Sequence, residues 1–257
     1  MIEALAHGLA AGQPWLRPLA APAEQVLQAL RQGATVAQAL NKALASLAEP
    51  PKPGGRALCF VAQQALPAGQ AYEAFIAATG QVPTRDNLHD LFNGLIWLTQ
   101  PRLKQALNRL QAGEILRAGV QAQRGPLRDA LTLMDENGAW LQAPAVLTQA
   151  LAQRDWQALF VTHRPLWAQA RWHLVGHALL EKLVTAPRKA LTAHVVLGDP
   201  TTMAADDWAA KPFAPLPVLG LPGWWPANES PAFYDDAAVF RPPRPADQAG
   251  KKPSIDK

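Results

Sequence analysis

The chain has 257 residues, of which 49% are hydrophobic and 17% are charged, so it has enough apolar surface for a core that needs no disulfides. Its single cysteine, Cys59, excludes an internal disulfide and a four-cysteine zinc site, and a formal net charge of +4 is too small to be typical of a nucleic-acid binder. The sequence contains neither an apolar run long enough for a membrane helix nor a signal-peptide pattern, so we expect a cytoplasmic protein.

The first 50 residues predict two amphipathic helices. Apolar side chains recur there at three- and four-residue spacings, and the pattern is interrupted at Gly33 and ends at Pro50. After this N-terminal helical segment, residues 57–61 form a short apolar run that is typical of a buried strand. Residues 72–78 predict a short helix.

A further helix is predicted over residues 86–97, with Thr84 or Asp86 as its N-terminal cap. At about 100° per residue, His89, Asp90 and Asn93 lie opposite the leucine-rich face of this helix. Solvated faces more often carry Lys, Glu and Gln, so these short polar side chains indicate a binding or catalytic surface. The alternative is that Asp86 caps the helix and that His89 and Asp90 are ordinary surface residues.

Residues 130–142 predict a β-hairpin. The apolar runs 130–134 and 139–142 flank Asn137-Gly138, a pair that favours a type I′ turn because both residues tolerate a positive φ. Arg128 and Asp129 immediately precede the first run. They could form structural ion pairs with another element, or Arg128 could bind an anionic group of a substrate.

Residues 144–159 and 166–184 predict two more helices, and residues 193–197 predict a strand. In the second of these helices, His173, His177 and Glu181 recur every four residues and therefore share one side.

Two histidines one helical turn apart can bind one metal ion, and Glu181 or His194 could complete a site that keeps one position open for water. This interpretation assigns His173, His177, Glu181 and His194 as ligands of a divalent metal ion. The alternative is structural: the histidines are hydrogen-bonded core groups, and Glu181 pairs with Arg128 or Arg85.

Residues 212–245 combine frequent prolines with aromatic side chains that include Trp224 and Trp225. Proline at this frequency excludes a helix and a central strand, so we expect an extended strap over the core, followed by a disordered tail over residues 246–257. After Pro101 a helix with a basic outer face is predicted; we interpret it as a solvated surface, and nucleic acid is not an expected partner.

Several strings point to one family. They are Arg85-Asp86-Asn87-Leu88-His89-Asp90, the run from Arg128 to Gly138, Gly176-His177-Ala178-Leu179-Leu180-Glu181-Lys182, and the segment from Leu216 to Arg244 with Gly223-Trp224-Trp225-Pro226. Over residues 83–244 the chain resembles the bacterial family catalogued as domain of unknown function 3025. The resemblance implies no reaction and no catalytic residue.

Together, these patterns predict a mostly helical α+β domain over residues 1–245. It comprises the N-terminal helical segment (1–50), a central body (83–200), a small sheet with one hairpin, and the strap (212–245). We expect the polar faces to meet in one cluster formed by His89, Asp90, Asn93, Arg128, Asp129, His177 and Glu181.

Such a cluster suits a metal-assisted or acid/base hydrolase, in which His89 is the base, Asp90 orients it and Arg128 binds an anion. Two alternatives remain open at this point. The protein could be a non-catalytic interaction or structural protein with a buried polar network, or it could bind nucleic acid through its basic helix.

Overall fold

A computed structural model of the chain describes residues 2–119 and 125–242. The α-helices in these ranges are α1 (Ile2–Ala10), α2 (Ala20–Arg31), α3 (Val36–Leu44), α4 (Tyr72–Thr79), α5 (Leu88–Thr99), α6 (Pro101–Ala118), α7 (Pro126–Asn137), α8 (Ala145–Gln153), α9 (His177–Thr185) and α10 (Ala205–Ala209). The strands are β1 (Cys59–Ala62), β2 (Gln81–Thr84), β3 (Gly138–Gln142), β4 (Arg171–Leu174), β5 (Thr192–Leu197) and β6 (Ala214–Pro217). The predicted mostly helical α+β fold is confirmed.

The two helices predicted for the N-terminal segment are α2 and α3, and α1 precedes them. Their apolar positions, including Leu30 and Leu40, are buried. α3 begins with a capping box, in which the Thr35 hydroxyl accepts the Gln38 backbone N–H and the Gln38 side chain accepts the Thr35 backbone N–H. Local sequence therefore determines where this helix starts.

The strands form two small sheets. β1 pairs with β2 in parallel, and the second sheet has the order β4-β3-β5-β6. In that sheet β3 is antiparallel to β4 and parallel to β5, while β5 is antiparallel to β6. β6 contains Pro215 and Pro217 and lies at an edge, where a residue without a backbone N–H is tolerated. The strands predicted near residues 57–61 and 193–197 are β1 and β5.

The predicted hairpin over residues 130–142 is wrong, because its first half is helical. α7 has Pro126 in its first turn and buries Ala130, Leu131 and Met134, which is the spacing of a helix face. Gly138 has a φ of −86° and begins β3 directly, so the Asn-Gly pair forms no type I′ turn. A glycine is needed there because a Cβ would collide with the carbonyl oxygen of Met134.

The single helix predicted over residues 166–184 is also wrong. A 3₁₀ segment (Arg164–Gln169) and the strand β4 come first, and α9 begins only at His177. His173 pairs with Trp140 in the sheet, so strand pairing replaces the helical continuation. Consequently the series of His173, His177 and Glu181 does not share one helix, although the last two remain one turn apart on α9.

The predicted strap is ordered up to residue 242, while residues 243–245 and the predicted tail (246–257) lie outside the described residues. It is not uniformly extended, since it contains β6 and three short 3₁₀ segments. Asn228 anchors it by donating to the carbonyl oxygens of Leu219 and Leu221, and Phe233 and Phe240 are buried beneath it.

The buried apolar side chains form one continuous cluster that extends from Leu5 to Phe240. It includes residues of the N-terminal helices, of both sheets and of the strap. None of the helices within residues 2–119 and 125–242 combines the length and apolar character required to cross a membrane.

Candidate functional site

The site begins at the first turn of α5. The cap of this helix is Asn87, whose side-chain oxygen accepts the Asp90 backbone N–H at 2.7 Å, and the prediction of Thr84 or Asp86 as the cap is wrong. Asp86 instead accepts the backbone N–H of Val36 at 2.7 Å and so ties the start of α5 to α3. This arrangement places His89 in the first turn of α5.

His89 meets His177 where α5 packs against α9. Their Nε2 atoms are 3.0 Å apart, and the rings are close to perpendicular, with centroids 4.4 Å apart. On the other side of His89, Nδ1 lies 3.2 Å from Oε2 of Glu181. The structure therefore brings together three of the predicted site residues, His89, His177 and Glu181.

The last turn of α7 adds two carboxylates to this histidine pair. Oδ2 of Asp135 is 3.8 Å from Nδ1 of His177, and Oε2 of Glu136 is 3.6 Å from Nε2 of the same ring. Among the described residues, His89, Glu136 and His177 have potential metal-ligand atoms that all lie within 4.8 Å of one another.

A buried lysine neutralises the acid behind His177. The Lys104 ammonium donates to Asp135 at 2.5 Å and to Oδ1 of Asn93 at 2.8 Å. Asn93 in turn donates from Nδ2 to the Tyr72 hydroxyl at 3.0 Å. Asn93, which the sequence indicated as a site residue, therefore joins the lysine to the wall of the site.

The pKa values follow from burial and from these charges. Burial lowers the pKa of the His177 imidazole to about 4, although the Asp135 carboxylate partly opposes the effect. Burial raises the pKa of Glu136. For Asp135, burial alone would raise the pKa, but Lys104 and His177 outweigh it, and the pKa lies below its usual value. At neutral pH a neutral His177 ring therefore faces an ionised Asp135.

These groups line an open cleft of about 470 Å³, whose walls include Tyr72, His89, Arg128, Glu136 and His177. The side chain of His177 is only 5% exposed, whereas those of His89 and Glu136 are 31% and 36% exposed. Such a cleft admits a small ligand to the histidine pair, whereas a sealed core network would not.

Two further predicted residues have other partners. Asp90 lines the cleft, but its carboxylate accepts two hydrogen bonds from the Arg85 guanidinium and one from the Arg85 backbone N–H. Its contacts are therefore those of a structural pair and not of an orienting group for His89. Asp129 is exposed and pairs with Lys211, so the structure does not bring it into the cluster.

The predicted four-residue metal site is not assembled. His173 stacks on Trp140 with ring centroids 3.9 Å apart, and its Nδ1 lies 3.2 Å from Nε2 of Gln100. His194 lies on β5 with its ring edge against Phe213. Both side chains therefore have other neighbours, because they lie on the sheet and not on α9.

The sequence does not indicate Asp135 and Glu136 as site residues, because the hairpin predicted over residues 130–142 places them in the connection between its two strands. The helical spacing of Leu127, Ala130, Leu131 and Met134 was the signal that could have found them. On a helix, the residues at positions 128, 132 and 136 follow one another along a single face.

Comparison with known proteins identifies one family. A family model described as "Protein of unknown function (DUF3025)" matches residues 58–207 and 200–244. No curated protein and no solved structure matches the chain.

Proposed function

The chain belongs to the DUF3025 family, and we propose that it is a metal-dependent hydrolase whose metal ion is bound by His89, His177 and Glu136. The observation that carries this proposal is the pair of imidazole Nε2 atoms that face each other 3.0 Å apart in an open cleft. The proposal also assigns the enzyme to the bacterial cytoplasm, since a chain with one cysteine suits a reducing compartment.

The distances match those expected around one ion. Two nitrogens that bind zinc at about 2.0–2.1 Å in tetrahedral or octahedral geometry lie about 3.0–3.4 Å apart. The Nε2 atoms of His89 and His177 are at the lower end of this range, and the Glu136 carboxylate oxygen lies 3.6 Å from Nε2 of His177. All three ligand atoms lie within 4.8 Å of one another, and a rotation of the partly exposed Glu136 side chain would adjust its distance to the shared ion.

The expected positions of the ring protons also support a metal ion shared by His89 and His177. Glu181 lies 3.2 Å from Nδ1 of His89, whereas Nδ1 of His177 is buried and has no hydrogen-bond partner among the described residues. A neutral imidazole has one N–H, and a carboxylate favours that proton on the nitrogen it faces. Nε2 of His89 then presents its lone pair to Nε2 of His177, and a cation bound between the two rings would accept that lone pair. Carboxylates on the outer nitrogen of ligating histidines are a common feature of metal sites.

The chemistry follows from the number of ligands. An ion held by His89, His177 and Glu136 would leave a position for water and would supply a water of lowered pKa as the nucleophile at neutral pH. Tyr72 lines the cleft and accepts a hydrogen bond from Asn93, which leaves the hydroxyl proton for another acceptor. Burial raises the pKa of Tyr72 well above its usual value, so the hydroxyl stays protonated and can donate a hydrogen bond to an oxygen of a bound substrate.

The interaction-protein alternative has weaker support. It requires an exposed aromatic patch, but Trp224 is half-buried and packs against Trp15 and Trp172 at centroid distances of 5.8 and 6.2 Å. Among the described residues, the exposed large hydrophobic side chains are Leu116, Val146 and Leu197, and none of them is aromatic.

The test is metal binding by the purified full-length chain. We expect about one divalent transition metal ion per chain by elemental analysis, and a zinc affinity that falls at least tenfold in His89→Asn, His177→Asn and Glu136→Gln. Zinc-loaded protein should hydrolyse at least one of a panel of chromogenic esters, phosphoesters and amides, and chelation should abolish this activity.

Matched controls come from the two histidines on the sheet. His173→Asn and His194→Asn should keep the zinc affinity of the unmodified chain, because neither side chain contacts the pair. An absence of metal binding, or a loss of affinity that is confined to the sheet histidines, would contradict the proposal. Bound iron with oxygen-dependent chemistry would overturn the hydrolase assignment.

A further inference from the structure

We propose that the cleft holds its substrate by an anionic group, a carboxylate or a phosphate, which Arg128 binds while the reacting bond lies at the histidine pair. The second half of this statement rests on the proposed hydrolase function. The anion subsite itself depends only on the surroundings of Arg128.

Arg128 is a cation in the cleft wall that forms no close ion pair with any of the described residues. Its Nε atom is buried and has no hydrogen-bond partner within residues 2–119 and 125–242, and no carboxylate in those ranges lies within 4.0 Å of its guanidinium. The neighbouring acids are already paired: Asp129 with Lys211 and Asp135 with Lys104. A guanidinium in this situation favours a planar anion that accepts two parallel hydrogen bonds.

Glu73 also lines the cleft but is a poor counter-ion for Arg128. Its carboxylate accepts a 2.6 Å hydrogen bond from Nδ2 of Asn108. Burial raises the pKa of Glu73 even though Lys104, Asn108 and Arg128 each act to lower it. No oxygen of the Glu73 carboxyl group lies within 4.0 Å of the Arg128 guanidinium, so the two groups do not form a close ion pair.

The spacing along α7 sets the size of the substrate. Arg128, Thr132 and Glu136 all line the cleft and follow one another at intervals of four residues. At a rise of about 1.5 Å per residue, the Cα atoms of Arg128 and Glu136 are about 12 Å apart. A substrate that contacts Arg128 at one end and the histidine pair at the other would therefore extend along about two turns of α7.

The charges of the other cleft residues limit the substrate to a small number of negative charges. Asp135 and Glu136 line the same cleft as Arg128 and would repel an extended polyanion. The cleft thus suits a small organic carboxylate or phosphate ester and not a nucleic-acid strand.

The test uses inorganic phosphate and succinate as probes, titrated at constant ionic strength into metal-free full-length protein. We expect at least one probe to bind the unmodified chain, and Arg128→Gln to weaken its binding at least tenfold. Arg128→Lys keeps the positive charge but loses the planar guanidinium, so its affinity for the probe should lie between those of the unmodified chain and Arg128→Gln. A preference for phosphate or for succinate identifies the source of the anionic group.

The control is Arg31→Gln, because Arg31 is an exposed arginine in the last turn of α2. It should bind both probes as the unmodified chain does. Equal probe binding by the unmodified chain and Arg128→Gln, or binding of neither probe, would overturn the inference. Zinc affinity, measured in parallel, should not change in Arg128→Gln, so a failure of the metal site and a failure of the anion subsite give different results.

Discussion

Lys104 carries the positive charge behind the histidine pair. Its side chain is almost completely buried, and its ammonium group contacts Asp135 and Asn93 and lies 5.3 Å from the centroid of the Trp97 ring. Because Asp135 faces His177, the lysine keeps an ionised carboxylate next to a neutral imidazole. The Lys104 ammonium group therefore offsets the free energy that burial of the Asp135 carboxylate costs.

We therefore predict that Lys104→Met lowers the free energy of unfolding by about 3–5 kcal/mol, since it leaves Asp135 buried and unpaired. Urea denaturation followed by circular dichroism measures the change. Adding Asp135→Asn should recover most of the loss, whereas Lys42→Met, at an exposed position of α3, should change stability by less than about 0.5 kcal/mol. A Lys104→Met variant as stable as the unmodified chain would show that the Lys104–Asp135 ion pair does not contribute to the free energy of unfolding.

At the scale of single residues, the sequence identifies the histidines as site residues, but it does not identify the charged side chains that surround them. His89, Asp90, Asn93 and His177 are unusual on helix faces where Lys, Glu and Gln are common, and all four line the cleft. The burial of Lys104 was not predictable, because it depends on an acid 31 residues away along the chain. That acid, Asp135, lies in the segment for which the sequence wrongly predicts a hairpin, so its place in the last turn of a helix was not expected.

At the scale of secondary structure, the cap of α5 positions His89. Asn87 ends the preceding extended segment and accepts the Asp90 backbone N–H, so the first turn of α5 forms around His89. α9 presents His177 at its own first residue, and α7 presents Glu136 in its last turn. The proposed metal ligands therefore lie at helix ends, where a capping defect would displace them.

We predict that Asn87→Ala costs about 1 kcal/mol of stability and also weakens zinc binding. Asp155→Ala removes the hydrogen bond from the Ala158 backbone N–H to the Asp155 carboxylate, at the start of a different helical segment (Ala158–Thr162); it is the matched control, because it should cost a similar stability and leave zinc affinity unchanged. Chemical denaturation and zinc titration measure the two quantities. If both variants bound zinc equally well, the cap of α5 would have no special role in positioning His89.

The two incorrect elements have a common physical reason. Residues 130–134 are a short apolar run, and in residues 171–174 polar and apolar side chains alternate over only four positions; in segments this short, periodicity alone does not reliably distinguish a helix from a strand. In each case tertiary contacts decide, because β3 provides a pairing edge for β4, and α7 buries the face that carries Met134. Longer periodic segments such as α2, α3 and α6 were predictable because several turns repeat the pattern.

At the scale of the whole molecule, the N-terminal helices support the helices that carry the site. α3 packs on α5 at Gly94, where a Cβ would collide with Leu40, and Asp86 accepts the backbone N–H of Val36. The family match begins only at residue 58. The buried core nevertheless continues through residues of α1, α2 and α3.

We therefore predict that a chain that starts at residue 58 does not fold independently. It would lose buried side chains of three helices, and each large buried side chain contributes about 2–5 kcal/mol against a total stability of about 5–15 kcal/mol. Thermal unfolding by circular dichroism should show a cooperative transition for the full chain and none for the shortened one. A shortened chain with a transition close to that of the full chain would contradict the single-domain interpretation.

The most direct test of the account is the position of the metal ion. Crystals of the full chain grown with zinc should give one strong anomalous peak between His89 and His177, about 2.0–2.1 Å from both Nε2 atoms, with the Glu136 carboxylate as a third ligand. No peak at this position in crystals of protein that carries one zinc ion per chain, or a peak at His173 or His194 instead, would contradict it.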